Sequence, residues 1–240
     1  LLLSVNRSIE LHEVKHENRI LKEGSISDYK FIGESSAIIK IKQQIVKIAP
    51  TSSRVMIYGE SGTGKDIIAK EIHKNSINKD GPFIILNAAL MEPENLESEL
   101  FGIQDNNLDE IGHLEKAEDG TLFIDEVGEM PLQTQAKILR VLTDKNFTKK
   151  GGKELIKLNC RIICSSTKNL EQLTNEGSFR KDLFHRLNVV TIKLPNLSER
   201  SDDIDSLINY FTEIFSKENN QKNIDLKPLI KTKYINYEWP

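Results

Sequence analysis

The chain has 240 residues, with 33 lysines and arginines against 36 aspartates and glutamates, a net charge of −3 and 38% hydrophobic residues. That length can bury one sizeable core plus a small appendage, and the balance of charge excludes a global basic field directed at nucleic acid or anionic lipid. No apolar run is long enough to span a bilayer, Leu1-Leu2-Leu3 lacks the length and basic lead-in of a signal peptide, and a cysteine count of two suits a reducing cytosol.

In chain order, Leu3 to Glu23 is charged and helix-favouring, with Leu3, Ile9, Val14, Ile20 and Leu21 loosely periodic, and predicts a connector helix. Within it, His12-Glu13-Val14-Lys15-His16 matches the zinc-protease string, but no third ligand or core surrounds it, so it reads as a solvated helix face. The folded body starts near Phe31. Ser35 or Ser36 caps a predicted helix through Ala49, which Pro50 and Thr51 end.

The apolar run Val55-Met56-Ile57-Tyr58 then leads into Gly59-Glu60-Ser61-Gly62-Thr63-Gly64-Lys65 and a helix through His73. A strand, a glycine-rich turn and a helix are the context of a phosphate-binding loop: the glycines let consecutive N–H groups and the helix N-terminus face an anion. Lys65 adds a point charge for the outer phosphates. Asp66 follows, where the common pattern has Ser or Thr to hold Mg²⁺.

After a break at Asp80-Gly81-Pro82, Phe83 to Asn87 predicts a second buried strand and Glu94 to Phe101 a helix. Gln104 to Glu110 is acidic and reads as a loop. Gly120-Thr121-Leu122-Phe123-Ile124-Asp125-Glu126 is a strand ending in adjacent carboxylates, expected next to the phosphate-loop strand, with Asp125 in the Mg²⁺ shell and Glu126 polarising a water. Further elements are a helix from Pro131 to Leu142, a lysine-rich turn with Gly151-Gly152, a strand from Cys160 to Cys164, helix over most of Leu170 to Leu187, and a strand from Val189 to Leu194. Cys160 and Cys164 lack partner ligands and read as buried thiols. From Leu197 the pattern is helical and more polar, as in a small lid.

Alternating strands and helices predict a parallel α/β sheet covered on both faces, and the paired motifs predict hydrolysis of a nucleoside triphosphate. The first residue is not Met and the chain stops at Tyr237-Glu238-Trp239-Pro240 without a helix-ending signal, so it reads as a piece of something longer.

Together these segments resemble the AAA+ ATPase domain of bacterial enhancer-binding transcription activators of the NtrC type. The carriers are Ile32-Gly33-Glu34-Ser35, the phosphate loop, Glu97-Ser98-Glu99-Leu100-Phe101-Gly102, Gly120 to Glu126, Gln135 to Leu142 and Phe179-Arg180-Lys181-Asp182-Leu183. Asn87 to Glu94 and Asp182 to Leu187 are similar to the NtrX-like branch of response regulators. The resemblance implies a P-loop NTPase fold of three parts: a connector helix over 1–29, an ATPase core over 30–195 and a truncated helical lid over 196–240. It implies ATP and Mg²⁺ as cofactors, bound by Ile32, Gly33, Gly59, Glu60, Ser61, Gly62, Thr63, Gly64, Lys65 and Asp66, with Mg²⁺ on Asp125.

In the family's pattern Asn87 contacts the catalytic Glu126, Thr167 takes the position of a sensor that bonds the γ-phosphate, and Arg180 and Arg186 reach a neighbouring subunit's site in a ring. The implied partners are further copies of the chain and, through domains absent here, a sensor histidine kinase and DNA; the implied setting is the cytoplasm, away from membranes. Three departures stand out. The Gly-Ala-Phe-Thr-Gly-Ala loop that touches RNA polymerase's σ54 is missing between Gly102 and Gly112, which argues against σ54 contact. Thr167 replaces the usual Asn, predicting slower hydrolysis, and the lid arginine beyond Pro240 is not in this sequence. The rival reading is a non-hydrolysing nucleotide-binding assembly module; a small-molecule kinase leaves Arg180, Arg186 and the carboxylate strand without a place.

Overall fold

A computed structural model describes residues 30–105, 108–219, 228–235, 237 and 239. The predicted connector helix and His12-Glu13-Val14-Lys15-His16 lie outside the described residues. The compact body begins at Ile32.

Its centre is a five-stranded sheet in the order β2-β5-β8-β1-β9, built from β1 (Val55–Tyr58), β2 (Phe83–Asn87), β5 (Thr121–Asp125), β8 (Arg161–Ser166) and β9 (Val190–Lys193). Every pairing in it is parallel. Val55, Met56 and Ile57, then Leu122, Phe123 and Ile124, are buried without alternation, as strands covered on both faces must be. The chain crosses from β1 to β2 at one edge, returns through β5 and β8, and places β9 on the other side of β1. Ligand crevices form at the carboxyl ends of strands where the order reverses, and the predicted motifs converge on that edge. One expectation is corrected: β8 lies between β1 and β5, so the carboxylate strand is not the neighbour of the phosphate-loop strand.

Helix α1 (Ser36–Ile48) starts where the Ser35 hydroxyl accepts the Ile38 amide at 3.4 Å, and it buries Ile38, Ile41 and Ile45 along one stripe. Its last carbonyls, on Ile48 and Ala49, accept from the Arg161 guanidinium of β8 at 3.1 and 2.8 Å. Helices α2 (Lys65–Lys74), α3 (Pro93–Phe101) and α5 (Leu132–Asp144) follow the predicted pattern closely, while the one-turn helix α4 (His113–Lys116) is not among the expected elements. The helical stretch expected over Leu170 to Leu187 divides into α6 (Leu170–Asn175) and α7 (Lys181–Leu187). Gly177 turns left-handed with φ 76°, both the Ser178 and Phe179 amides close onto the Leu173 carbonyl, and the Phe179 ring drops into the core.

The acidic segment predicted as a loop is instead an antiparallel hairpin of β3 (Gly102–Asp105) and β4 (Leu108–Ile111). It is tied to the hairpin of β6 (Asn146–Phe147) and β7 (Ile156–Lys157), because Gln104 N–H and Lys150 N–H donate to the Lys150 and Gly102 carbonyls. The nearly buried Lys149 ammonium bridges Asp109 at 2.7 Å and Glu115 at 3.2 Å. A 3₁₀ turn over Leu197–Asp203 leads into α8 (Ile204–Glu218), and α9 (Pro228–Ile235) follows.

Candidate functional site

Gly62 and Gly64 adopt φ of 77° and 96°, the left-handed region that favours glycine. The loop closes on itself through Thr63, whose amide and hydroxyl both donate to the Glu60 carbonyl, at 3.4 and 2.8 Å. A Cβ on Gly59 would lie 2.7 Å from the Thr63 hydroxyl and 3.1 Å from Leu194 Cβ, so the crossing has no room for a side chain. Lys65 opens α2 and is 7% exposed. Its ammonium donates to the Gly59 and Glu60 carbonyls at 3.1 and 3.2 Å and sits 3.2 Å from Glu126 Oε1. Asp66 stands in the first helical turn, where a negative charge favours the dipole.

Across the carboxyl edge, Asp125 ends β5 in register with Asn87. The Asn87 amide donates to Asp125 Oδ2 at 2.9 Å, and its oxygen accepts the Ala89 N–H. This corrects the expected contact: Asn87 holds Asp125, not Glu126, because Asn87 and Asp125 are direct cross-strand partners. The Ser165 hydroxyl donates to Asp125 Oδ1. Burial pushes the Asp125 carboxyl above its ordinary range, the Ser165 hydrogen bond opposes that, and the neighbouring Glu126 charge adds to it.

Glu126 leaves the strand with φ 53° and ψ 50°, left-handed for a non-glycine residue. Its Oε2 accepts from the Thr167 N–H at 2.8 Å and the Thr167 hydroxyl at 2.9 Å, while Oε1 faces Lys65. Thr167, expected toward a γ-phosphate, therefore spends its hydroxyl on the general-base candidate.

The donor set fits what the motifs imply. Each Asp125 oxygen has two lone pairs, of which Asn87 and Ser165 take one apiece, leaving the others for a cation or its water. Mg²⁺ ordinarily takes one or two carboxylates and fills its shell with phosphate oxygens and water. Among the described residues no cluster of three or more His, Cys, Asp or Glu offers a separate metal site.

Arg180 and Arg186 stand apart from this cluster. Arg180, at the start of α7, is exposed and holds Asp182 at 2.8 Å, while its backbone N–H donates to the buried Gln135 side chain at 2.9 Å. Arg186 is also exposed, and its charge adds to burial in lowering the Arg54 pKa. Ile32 and Gly33 are reached through residues that sequence reasoning missed. The fully buried Asp203 carboxylate accepts from the Glu34 N–H (2.5 Å), the Ser35 N–H (2.7 Å) and the Ser35 hydroxyl (2.6 Å). Three residues earlier, buried Arg200 donates to the Thr63 carbonyl at 3.2 Å. One turn thus grips both the Gly33 segment and the phosphate loop. Arg200 and Asp203, charges three apart beside an apolar helix start, were the available signal.

Comparison with known proteins identifies the chain's relatives. Residues 31–193 match the family described as the Sigma-54 interaction domain. The chain is 40% identical to the regulatory protein AtoC of Escherichia coli, over 99% of this chain and 53% of AtoC. It is 40% identical to the nitrogen assimilation regulatory protein NtrX of Azorhizobium caulinodans, over 90% of this chain and 48% of that protein. Among solved structures, NtrX from Brucella abortus in complex with ADP superposes with a TM-score of 0.85 at 39% identity, covering 99% of this chain and 54% of the other. The NtrX complex with ATP gives 0.83 at 40% identity, with the same coverage. The chain spans about half the length of the relatives it matches.

Proposed function

This chain belongs to the Sigma-54 interaction domain family of NtrC- and NtrX-type regulators, and from that premise we propose that it is a nucleotide-binding AAA+ core that hydrolyses ATP slowly. The observation carrying the proposal is the meeting of Lys65, Asp125, Glu126 and Thr167 at one edge of the sheet, with Lys65 3.2 Å from Glu126. The NtrX structures bound to ADP and ATP support the ligand class.

In this reading the loop amides and Lys65 hold the β- and γ-phosphates, Ile32 and Gly33 lie against the nucleotide, and Asp125 holds Mg²⁺. The cation supplies charge neutralisation of the phosphates. Lys65 trades the Gly59 and Glu60 carbonyls for phosphate oxygens, which are stronger, charged acceptors. Glu126 Oε1 is then freed to accept a proton from water, while Thr167 still orients Oε2. Arg180 and Arg186 serve a neighbouring copy's phosphate in a ring, where a rigid guanidinium offsets charge on the transferred group.

The intact regulator, acting in the cytoplasm, takes its signal from a sensor kinase and reaches DNA through domains outside this sequence. The short acidic hairpin held by Lys149 weighs against σ54 contact. A second reading, a nucleotide-binding assembly module without turnover, draws on Glu126: both its oxygens are already held. Measuring ATP turnover against protein concentration tests the choice. Cooperative turnover that Glu126→Gln or Arg186→Ala abolishes supports the ATPase; saturable binding with no turnover at any concentration leaves the assembly module.

A further inference from the structure

We propose that Ser165 is a positioning residue whose single hydroxyl sets both acidic groups of the site, Asp125 at its carboxylate and Glu126 at its backbone N–H. The inference rests on the nucleotide-binding reading above and adds to it a residue that the motifs do not include.

The β5–β8 ladder ends at the pair Ile124↔Cys164. Beyond that point the backbone of β8 no longer bonds β5, and the Ser165 hydroxyl replaces the ladder. It donates its one proton to Asp125 Oδ1 and accepts the Glu126 N–H at 3.2 Å. A hydroxyl has one donor and two acceptor sites, so a single side chain serves consecutive residues with opposite needs. Ser165 is fully buried, which removes water as a substitute.

Both contacts matter physically. The donated bond fixes one Asp125 oxygen while Asn87 fixes the other, at 2.9 Å, so the carboxylate plane is set before any cation arrives. The accepted bond holds Glu126 in its left-handed conformation, which a non-glycine residue keeps only when its surroundings over-determine it. Alanine at 165 leaves the Glu126 N–H and one Asp125 lone pair without their partner at a partly buried site. The adjacent Ser166 is the internal control. It is equally buried, yet its hydroxyl is spent locally, donating to the Lys168 carbonyl at 2.9 Å and accepting the Lys168 N–H at 3.1 Å.

The test uses the full chain with Ser165→Ala, Ser165→Thr and Ser166→Ala. In nucleotide-free, metal-free protein, Ser165→Ala raises Glu126 amide hydrogen exchange by about tenfold, the weight of one buried hydrogen bond, and Ser165→Thr restores protection. ADP affinity is then measured by calorimetry with Mg²⁺ and with EDTA. Ser165→Ala is expected to cut the gain from Mg²⁺ by about tenfold and to leave metal-free ADP binding unchanged.

Unchanged Glu126 exchange or an intact Mg²⁺ gain in Ser165→Ala overturns the inference. So does an equal loss in Ser166→Ala, or a matching loss of metal-free binding, since either marks a purely structural effect. If the unsubstituted chain binds no ADP, the nucleotide reading falls with its Mg²⁺ arm, and the exchange arm still decides what Ser165 holds.

Discussion

Replacing Asp203 tests whether the turn before α8 holds the site's two entry segments together. Its carboxylate is fully buried and accepts three hydrogen bonds, from the Glu34 N–H, the Ser35 N–H and the Ser35 hydroxyl. Gly33 is pressed against it: a Cβ there would lie 2.9 Å from the Asp203 carboxylate, and φ is +143°. Each buried donor left without an acceptor costs about 1–3 kcal/mol, and partial water entry keeps three from summing fully. Asp203→Ala should therefore destabilise the chain by about 3–5 kcal/mol, a fall in melting temperature on the order of 10 °C at this size. Asp203→Asn keeps an acceptor for the two amides and should cost about 1–2 kcal/mol.

The charge gives a second check on Asp203. Burial works to raise its pKa, but the Ser35 and Glu34 hydrogen bonds and the Arg200 charge prevail, and it lies below the usual aspartate value. A lowered native pKa means the contribution is complete above the unfolded value of about 4 and is lost as pH falls through the native one. The gap between wild type and Asp203→Asn, measured by urea unfolding, should hold from pH 7 to 5 and narrow in acid below about pH 4. A change within about 0.5 kcal/mol for Asp203→Ala, or a gap independent of pH, refutes the reasoning.

Lys65→Met should weaken ATP binding by about 30- to 100-fold in calorimetry, since charge-assisted bonds to phosphate are lost. Gln135→Leu strands three partners that its buried amide now serves, the Met130 and Ser178 carbonyls and the Arg180 N–H. It should cost about 2–4 kcal/mol in urea unfolding and displace the start of α7 that carries Arg180. Burial pushes both Cys160 and Cys164 up to about 12. At pH 8 roughly one thiol in ten thousand is then ionised, so a thiol reagent should label the native chain far more slowly than the urea-unfolded one.

What could be read in the sequence was chemistry written into short strings. Gly59 to Lys65 follows a buried strand and opens a helix, so glycine freedom and the lysine charge are interpretable locally. Asp125 and Glu126 end a strand whose burial is visible in Leu122-Phe123-Ile124. What stayed hidden depends on partners far along the chain. Asn87 pairs with Asp125 because β2 and β5 are in register, which no local string encodes. The hairpin of β3 and β4 is polar and acidic, and nothing within it predicts strands. Lys149 and Lys150, about 40 residues later, supply the ion pairs and backbone bonds that hold it. Gly177 did carry a signal, a glycine ahead of a buried phenylalanine, and the helical periodicity on either side of it prevailed in the reading.

The strand order gives these details one cause. With β8 between β1 and β5, the loop that starts from β1 and the carboxylates that end β5 are a full strand apart, and the space between them is filled from β8. Ser165 bonds Asp125 and the Glu126 backbone, and Thr167 bonds the Glu126 side chain, so β8 carries the geometry of a site whose charges lie elsewhere. Lys65 and Thr167 hold opposite oxygens of Glu126, and only one of the two can be drawn off by phosphate, because Thr167 makes two bonds, one of them from its backbone N–H, just beyond the end of β8. A residue placed at 167 therefore governs how Glu126 is presented once Lys65 leaves. A threonine there, with a shorter reach than asparagine, keeps Glu126 Oε2 against the end of β8, which is the physical ground for expecting slow turnover.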